Sequence, residues 1–168
     1  MRKREGERLK YNLAFVCWMI IQIDISGQIQ QRNYNSALGC KRSDGLERAA
    51  YLRSSTKKEV VRKYKGQVVR LIEKLHCIMI YYCIKDHLDG VKEIKICKDV
   101  NYRRLRDLIP LLFKDHNYLE NINISPRVEK EKSNGHKPAI RAFRKRREAD
   151  VLVSKEMIEK VLFEFKGK

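Results

Sequence analysis

Asp24, Glu59, Asp99 and Asp150 are carboxylates in settings that point beyond solvated surface. Asp24 interrupts the apolar run Trp18-Met19-Ile20-Ile21-Gln22-Ile23-Asp24-Ile25, which reads as a buried strand, and Asp99 closes the strand-like run from Val91. Glu59 falls in the first turn of a long helical pattern, and Asp150 at or near the start of the last helix. A buried carboxylate is costly unless it is paired or bound to metal. Carboxylates converging from distant parts of a chain can hold Mg²⁺ or Mn²⁺, hard cations that take oxygen ligands. Each acid also has a structural reading. Asp24 could be satisfied by the Ser26-Gly27 backbone in an Asx-turn, and Asp99 could N-cap the following helix in competition with Asn101. Glu59 could close a capping box, and Asp150 could answer the dipole of its helix.

The chain carries 38 Lys and Arg against 21 Asp and Glu, a formal net charge of +17. Such a field attracts polyanions, so nucleic acid is the partner expected first, ahead of an anionic membrane surface and of acidic proteins. For a carboxylate metal site in so basic a protein, the matching anionic substrate is a phosphodiester. The densest basic stretch holds Lys137, Arg141, Arg144, Lys145, Arg146 and Arg147. A solvated charged face is the usual account of a charge run, but density and single sign point to phosphate contact. Arg103 and Arg104, with Arg106, could extend the patch directly after Asp99. Phe143, inside the stretch, is either a base-stacking ring or a buried aromatic.

A length of 168 residues with 43% hydrophobic content fits one folded domain. It is read as a basic arm over residues 1–12 and a domain over 13–168. The pairing of basic 1–10 with apolar 13–21 superficially resembles a signal peptide. No small-residue cleavage site follows, and the apolar run is too short to span a bilayer, so a membrane partner is not expected. Cys17, Cys40, Cys77, Cys83 and Cys97 form no CxxC pair. That pattern suits a reducing cytoplasm, with the thiols as small core residues. Oligomeric state is not written in the sequence.

Positioning the acids requires a particular set of elements. Ile21, Ile23 and Ile25 share one face of a strand, with Gln22 and Asp24 on the other. Turn signals at Ser26-Gly27 and Ser43-Asp44-Gly45 predict a returning strand within 28–41 and a third over 46–53, an antiparallel meander, although Glu47-Arg48-Ala49-Ala50 would suit helix equally well. Thr56-Lys57-Lys58-Glu59 fits a capping box, and Val61, Tyr64, Val68, Leu71, Leu75, Met79 and Tyr82 continue as one helical stripe toward Asp86. Glu59 projects about 160° from the centre of that stripe. A strand over 91–98, a helix over 102–113 with Pro110 bending or ending it, and a short strand over 121–125 follow. Residues 129–137 read as a mobile loop. Val151, Met157, Ile158, Val161, Leu162 and Phe165 give a final helix.

This order, with acids after the first strand, on the first helix, after the fourth strand and near the last helix, resembles the ribonuclease H-like family. Tyr51-Leu52-Arg53-Ser54-Ser55-Thr56-Lys57-Lys58-Glu59 looks like the family's third strand, polar cap and helix-borne Glu. Ile96-Cys97-Lys98-Asp99-Val100-Asn101-Tyr102 looks like its fourth strand ending in Asp, and Ala149-Asp150-Val151-Leu152 like its Ala-Asp-x-Leu. The resemblance implies an α/β fold with a mixed sheet, three antiparallel strands followed by alternating helix and strand, flanked by helices. It implies a metal-dependent nuclease holding Mg²⁺ or Mn²⁺ through Asp24, Glu59, Asp99 and Asp150. His136 resembles the family's loop histidine that helps move protons. The alternative is a basic nucleic-acid-binding protein of the same fold without chemistry. Hybrid cleavage, junction resolution and exonuclease trimming all occur on this fold, which therefore does not choose a substrate.

Overall fold

The alternation of Ile21, Ile23 and Ile25 with Gln22, Asp24 and Ser26 makes β1 (Met19–Ser26) a two-faced strand, and it sits inside the sheet. The computed structural model describes residues 18–97, 101–113, 121–128 and 134–165. The expected basic arm over 1–12, Cys17, Asp99, His116 and most of the expected loop, residues 129–133, lie outside them. β2 (Ser36–Arg42) and β3 (Glu47–Leu52) return antiparallel, completing the meander. β4 (Val91–Ile96) pairs parallel with the other edge of β1, and β5 (Asn123–Pro126) pairs parallel with β4. β6 (Val151–Leu152), not foreseen from the sequence, adds parallel to β3. The sheet runs β5-β4-β1-β2-β3-β6, and with five helices among the described residues the protein is α/β with a six-stranded mixed sheet.

The two faces of the sheet have different partners. Ile21, Ile23, Leu38, Cys40, Ala50 and Leu52 point into the main core. There they meet α2 (Leu71–Ile84), which is buried on nearly every side. A helix apolar all round needs partners all round. The sheet supplies one, and α3 (Tyr102–Leu112) and α5 (Lys155–Leu162) supply the others. Cys40, Cys77, Cys83 and Cys97 are buried thiols in no disulfide among the described residues, as expected of core thiols. Among the described residues no helix is long and apolar enough to cross a membrane.

The opposite face is nearly bare of large side chains: Ala37, Gly39 and Ala49 leave a shallow trough, and α4 (His136–Arg144) lies in it. A Cβ on Gly39 would fall 2.3 Å from the Ala139 nitrogen and 2.4 Å from the Gly135 carbonyl. The helix therefore rests directly on the β2 backbone. The sequence reading, which placed residues up to Lys137 in a loop and gave 138–147 no helix, is corrected here. The buried stripe of α4 is Pro138, Ala139 and Ala142, too small to stand out against six cations, and proline is tolerated in a first helical turn.

The single long helix expected from residue 56 is two helices. α1 (Ser54–Tyr64) stops where Gly66 adopts φ +84°, a left-handed C-terminal glycine that ends a helix without steric cost. The stripe that ran through Val68 joined two helices by coincidence of spacing. The capping box is also absent. α1 starts at Ser54, two residues before Thr56, and the Ser54 N–H donates to Asn35 Oδ1 at 2.9 Å. In α3, Asn101 takes the capping role, its Oδ1 accepting from the Arg104 N–H at 3.4 Å. The last helix starts later than expected, at Lys155, capped by Ser154 Oγ accepting from the Met157 N–H at 3.2 Å.

Candidate functional site

Asp24 is 6% exposed, on the face of β1 that α4 covers. Its Oδ1 accepts from the N–H of its own neighbour Ile25 at 2.9 Å, so the Asx-turn to Ser26-Gly27 is not how this carboxylate is held. Its Oδ2 faces His136 Nδ1 at 3.4 Å and the Arg127 guanidinium, with Nη1 at 3.5 Å. A buried carboxylate survives only with such company.

Four segments converge to build this arrangement. β1 supplies Asp24. Arg127 is fixed just beyond β5 because its backbone N–H donates to the Ile96 carbonyl at 2.8 Å. Gly135 precedes α4 so tightly that a Cβ there would lie 2.8 Å from the Gln22 and Gly39 carbonyls and 3.0 Å from the Asp24 nitrogen. Asn134 adds a backbone N–H to Gln22 Oε1 at 3.0 Å. The N-terminal end of α4, with its partial positive charge, thus faces the carboxylate. At the end of β4, the Cys97 N–H donates to the Ile23 carbonyl at 3.2 Å, so the chain leaves that strand alongside Asp24. Asp99, two residues on, lies outside the described residues.

Of the expected site residues, the structure brings His136 to Asp24. His136 is the first residue of α4, not a loop residue, and its side chain is 55% exposed. Glu59 and Asp150 are engaged elsewhere. Glu59 Oε1 accepts from Lys155 Nζ, tying α1 to α5, and this pairing raises the Lys155 pKa. Asp150 brackets Ala49: its N–H donates to the Ala49 carbonyl at 2.9 Å and its Oδ2 accepts the Ala49 N–H at 2.7 Å. Asp24 aligns with Gly39, and Gly39 with Ala49. Asp150 is therefore three strand spacings from Asp24, about 14 Å backbone to backbone, whereas paired catalytic ions stand about 4 Å apart. Among the described residues no three His, Cys, Asp or Glu side chains are grouped to hold a metal ion. Asp24 and His136 offer two donor groups.

The basic stretch divides by its partners. Arg141 Nη2 donates to Glu47 Oε2 at 2.6 Å, while Lys41 holds the other oxygen at 3.0 Å. Lys41 first, then Arg141, keep the Glu47 carboxyl below its ordinary range. Lys137, Arg144, Lys145, Arg146 and Arg147 are exposed, with no ion pair to a carboxylate among the described residues. Arg146 also lines a cleft of about 240 Å³ with Tyr51, Arg53, Thr56 and Ser154. Phe143 packs on the Ala37–Tyr51–Ala142 cluster as a partly buried aromatic. Arg104 is bound to Glu73 at 2.5 Å. It and Arg103 belong to α3, which packs on α2 across the sheet from α4, so they do not extend the α4 patch.

Sequence reasoning missed Arg127 as the guanidinium beside Asp24. The available signal was a charged residue directly after the strand ending in Ser125-Pro126. The sequence matches no protein-family model and no curated protein.

Proposed function

We propose that this protein is a nucleic-acid-binding protein of the ribonuclease H-like fold, gripping the phosphodiester backbone through the cations of α4 and the turn that follows. The observation that carries this reading is selective pairing. Arg141, Lys41, Lys63 and Arg104 each hold a carboxylate. Arg144, Lys145, Arg146 and Arg147 stand in one exposed run with none among the described residues. Unpaired cations on a rigid element release counterions when they meet phosphate, the main source of affinity for nucleic acid. The strand order, with a meander on one side of β1 and parallel strands on the other, supports the fold resemblance. Binding to labelled single-stranded, duplex and hybrid oligonucleotides over a salt series tests it. Affinity that does not fall with salt would overturn it.

A second reading, divalent-metal-dependent hydrolysis of the bound backbone, is favoured by one observation. Asp24 is a buried acid on an interior strand, beside the exit of β4 toward Asp99 and in contact with half-exposed His136. Asp24 and Asp99 are the residues that would hold Mg²⁺ or Mn²⁺, which would supply water activation and stabilisation of the leaving oxygen. Glu59 and Asp150 take no part in it. His136 would exchange protons with solvent from its exposed edge. Cleavage of RNA–DNA hybrid, double-stranded RNA, duplex DNA and branched DNA, with and without Mn²⁺, tests this reading. Binding without cleavage of any of them leaves the non-catalytic binding protein.

A further inference from the structure

A second basic cleft lies between the β1–β2 connection and α1. It has a volume of about 350 Å³ and is lined by Arg32, Asn33, Lys58 and Arg62, with no acid in its walls. Lys58 and Arg62 are one helical turn apart, so both project on the same face of α1. None of the three cations pairs with a carboxylate among the described residues. Their neighbours do: Glu59 is held by Lys155, and Lys63 holds Glu159 at 2.7 Å. Local acids are thus spent on other cations, and the cleft keeps its full positive charge.

The loop that carries Arg32 is built, not merely exposed. Lys57, next to Lys58 but pointing inward, is 0% exposed. Its Nζ donates to Ser36 Oγ at 2.7 Å, to the Gln31 carbonyl at 3.1 Å and to the Gln28 carbonyl at 3.4 Å. Ile29 is buried beside these bonds, and the Tyr34 N–H closes a turn on the Gln31 carbonyl at 3.3 Å. The buried Lys57 therefore ties the loop to α1. Directly after Asn33, Tyr34 is 62% exposed, and its ring meets no aromatic partner among the described residues. A cluster of cations on an anchored loop and helix, with an uncovered aromatic one residue from the cleft wall, supplies the parts of a single-strand site: a charged groove tracks the backbone, and rings stack on unpaired bases. Arginine is suited to bidentate phosphate contact.

We propose that this cleft is a second nucleic-acid contact, in which Arg32, Lys58 and Arg62 each take a backbone phosphate of a single strand and Tyr34 stacks on an adjacent base. The proposal rests on the nucleic-acid-binding reading and deepens it by naming the strand type. α1 links the two basic regions, since Arg53 and Thr56 at its start share the neighbouring cleft with Arg146.

The test is fluorescence anisotropy of a labelled oligothymidylate on the full chain over a salt series. Replacing Arg32, Lys58 and Arg62 together with Ala lowers affinity and reduces the salt slope by about 2, at about 0.7 per phosphate contact on single strands. Tyr34→Ala weakens binding by about 5- to 150-fold with the salt slope unchanged, and Tyr34→Phe restores it. A control that removes three exposed cations elsewhere, Arg70, Lys92 and Lys160, has a smaller effect. Equal losses in control and cleft variants overturn the proposal, because the cleft is then only part of a general positive field. Cleft variants that bind like wild type overturn it while leaving the binding reading intact. Wild-type protein that binds no nucleic acid overturns both.

Discussion

His76 makes a sharp test of the core that positions α2. It is 4% exposed, its Nε2 has no hydrogen-bond partner among the described residues, and burial pushes its pKa from 6.5 down to about 4. The unfolded chain takes up the proton first, so this contribution to stability is intact above about pH 6.5 and is lost as pH falls toward 4. The full difference is worth about 3 kcal/mol at about 1.4 kcal/mol per pH unit, of which about 2 kcal/mol is gone by pH 5.

 His76→Leu fills similar space with nothing to titrate. Urea unfolding near pH 7.5 and near pH 5 is the assay. The wild type should lose about 2 kcal/mol more than the variant between the two conditions. Near pH 7.5 the variant should be at least as stable, because it no longer buries an unsatisfied nitrogen, a cost of about 1–3 kcal/mol. Parallel pH dependence in the two proteins would refute the reasoning, as would a His76 titration by NMR near its ordinary value.

Three other outcomes are expected. Asp24→Asn should abolish any Mn²⁺-dependent cleavage while keeping or raising nucleic-acid affinity, at a stability cost of about 1–3 kcal/mol from the weakened contacts to His136 and Arg127. Unchanged cleavage by the folded variant would remove Asp24 from the chemistry, and failure to fold would make its carboxylate structural. Replacing Arg144, Lys145, Arg146 and Arg147 with Ala should reduce the salt slope of single-strand binding by up to about 3, read by anisotropy. Gly39→Ala should destabilise the protein by about 1–3 kcal/mol or more in thermal unfolding, because the new methyl meets the α4 backbone, which has no side-chain freedom with which to yield.

Much of the frame was legible because local periodicity reports which face a residue takes. Ile21, Ile23 and Ile25 fixed β1 with Asp24 on its opposite face, turn residues marked the meander, and Asn101 marked the start of α3. Gly66 was a readable stop that the accidental spacing of Val68 obscured. α4 was harder, since a helix lying on Gly39 needs only small residues on its buried face and carries no apolar stripe to detect.

By itself, then, the sequence determined every strand but β6, most of the helices, the positive charge and the burial of Asp24 within an apolar strand. Tertiary structure alone decided the company of each charged group. Glu59 met Lys155, Asp150 met the backbone of Ala49, and Asp24 met His136 and Arg127. The cleft of Arg32, Lys58 and Arg62 likewise unites residues with no local pattern in common. The reason is physical. A side chain's face depends on the dihedral repeat of its own segment, whereas its partner depends on strand order and on how closely the backbones approach, and both are set by the closure of the whole chain around its core.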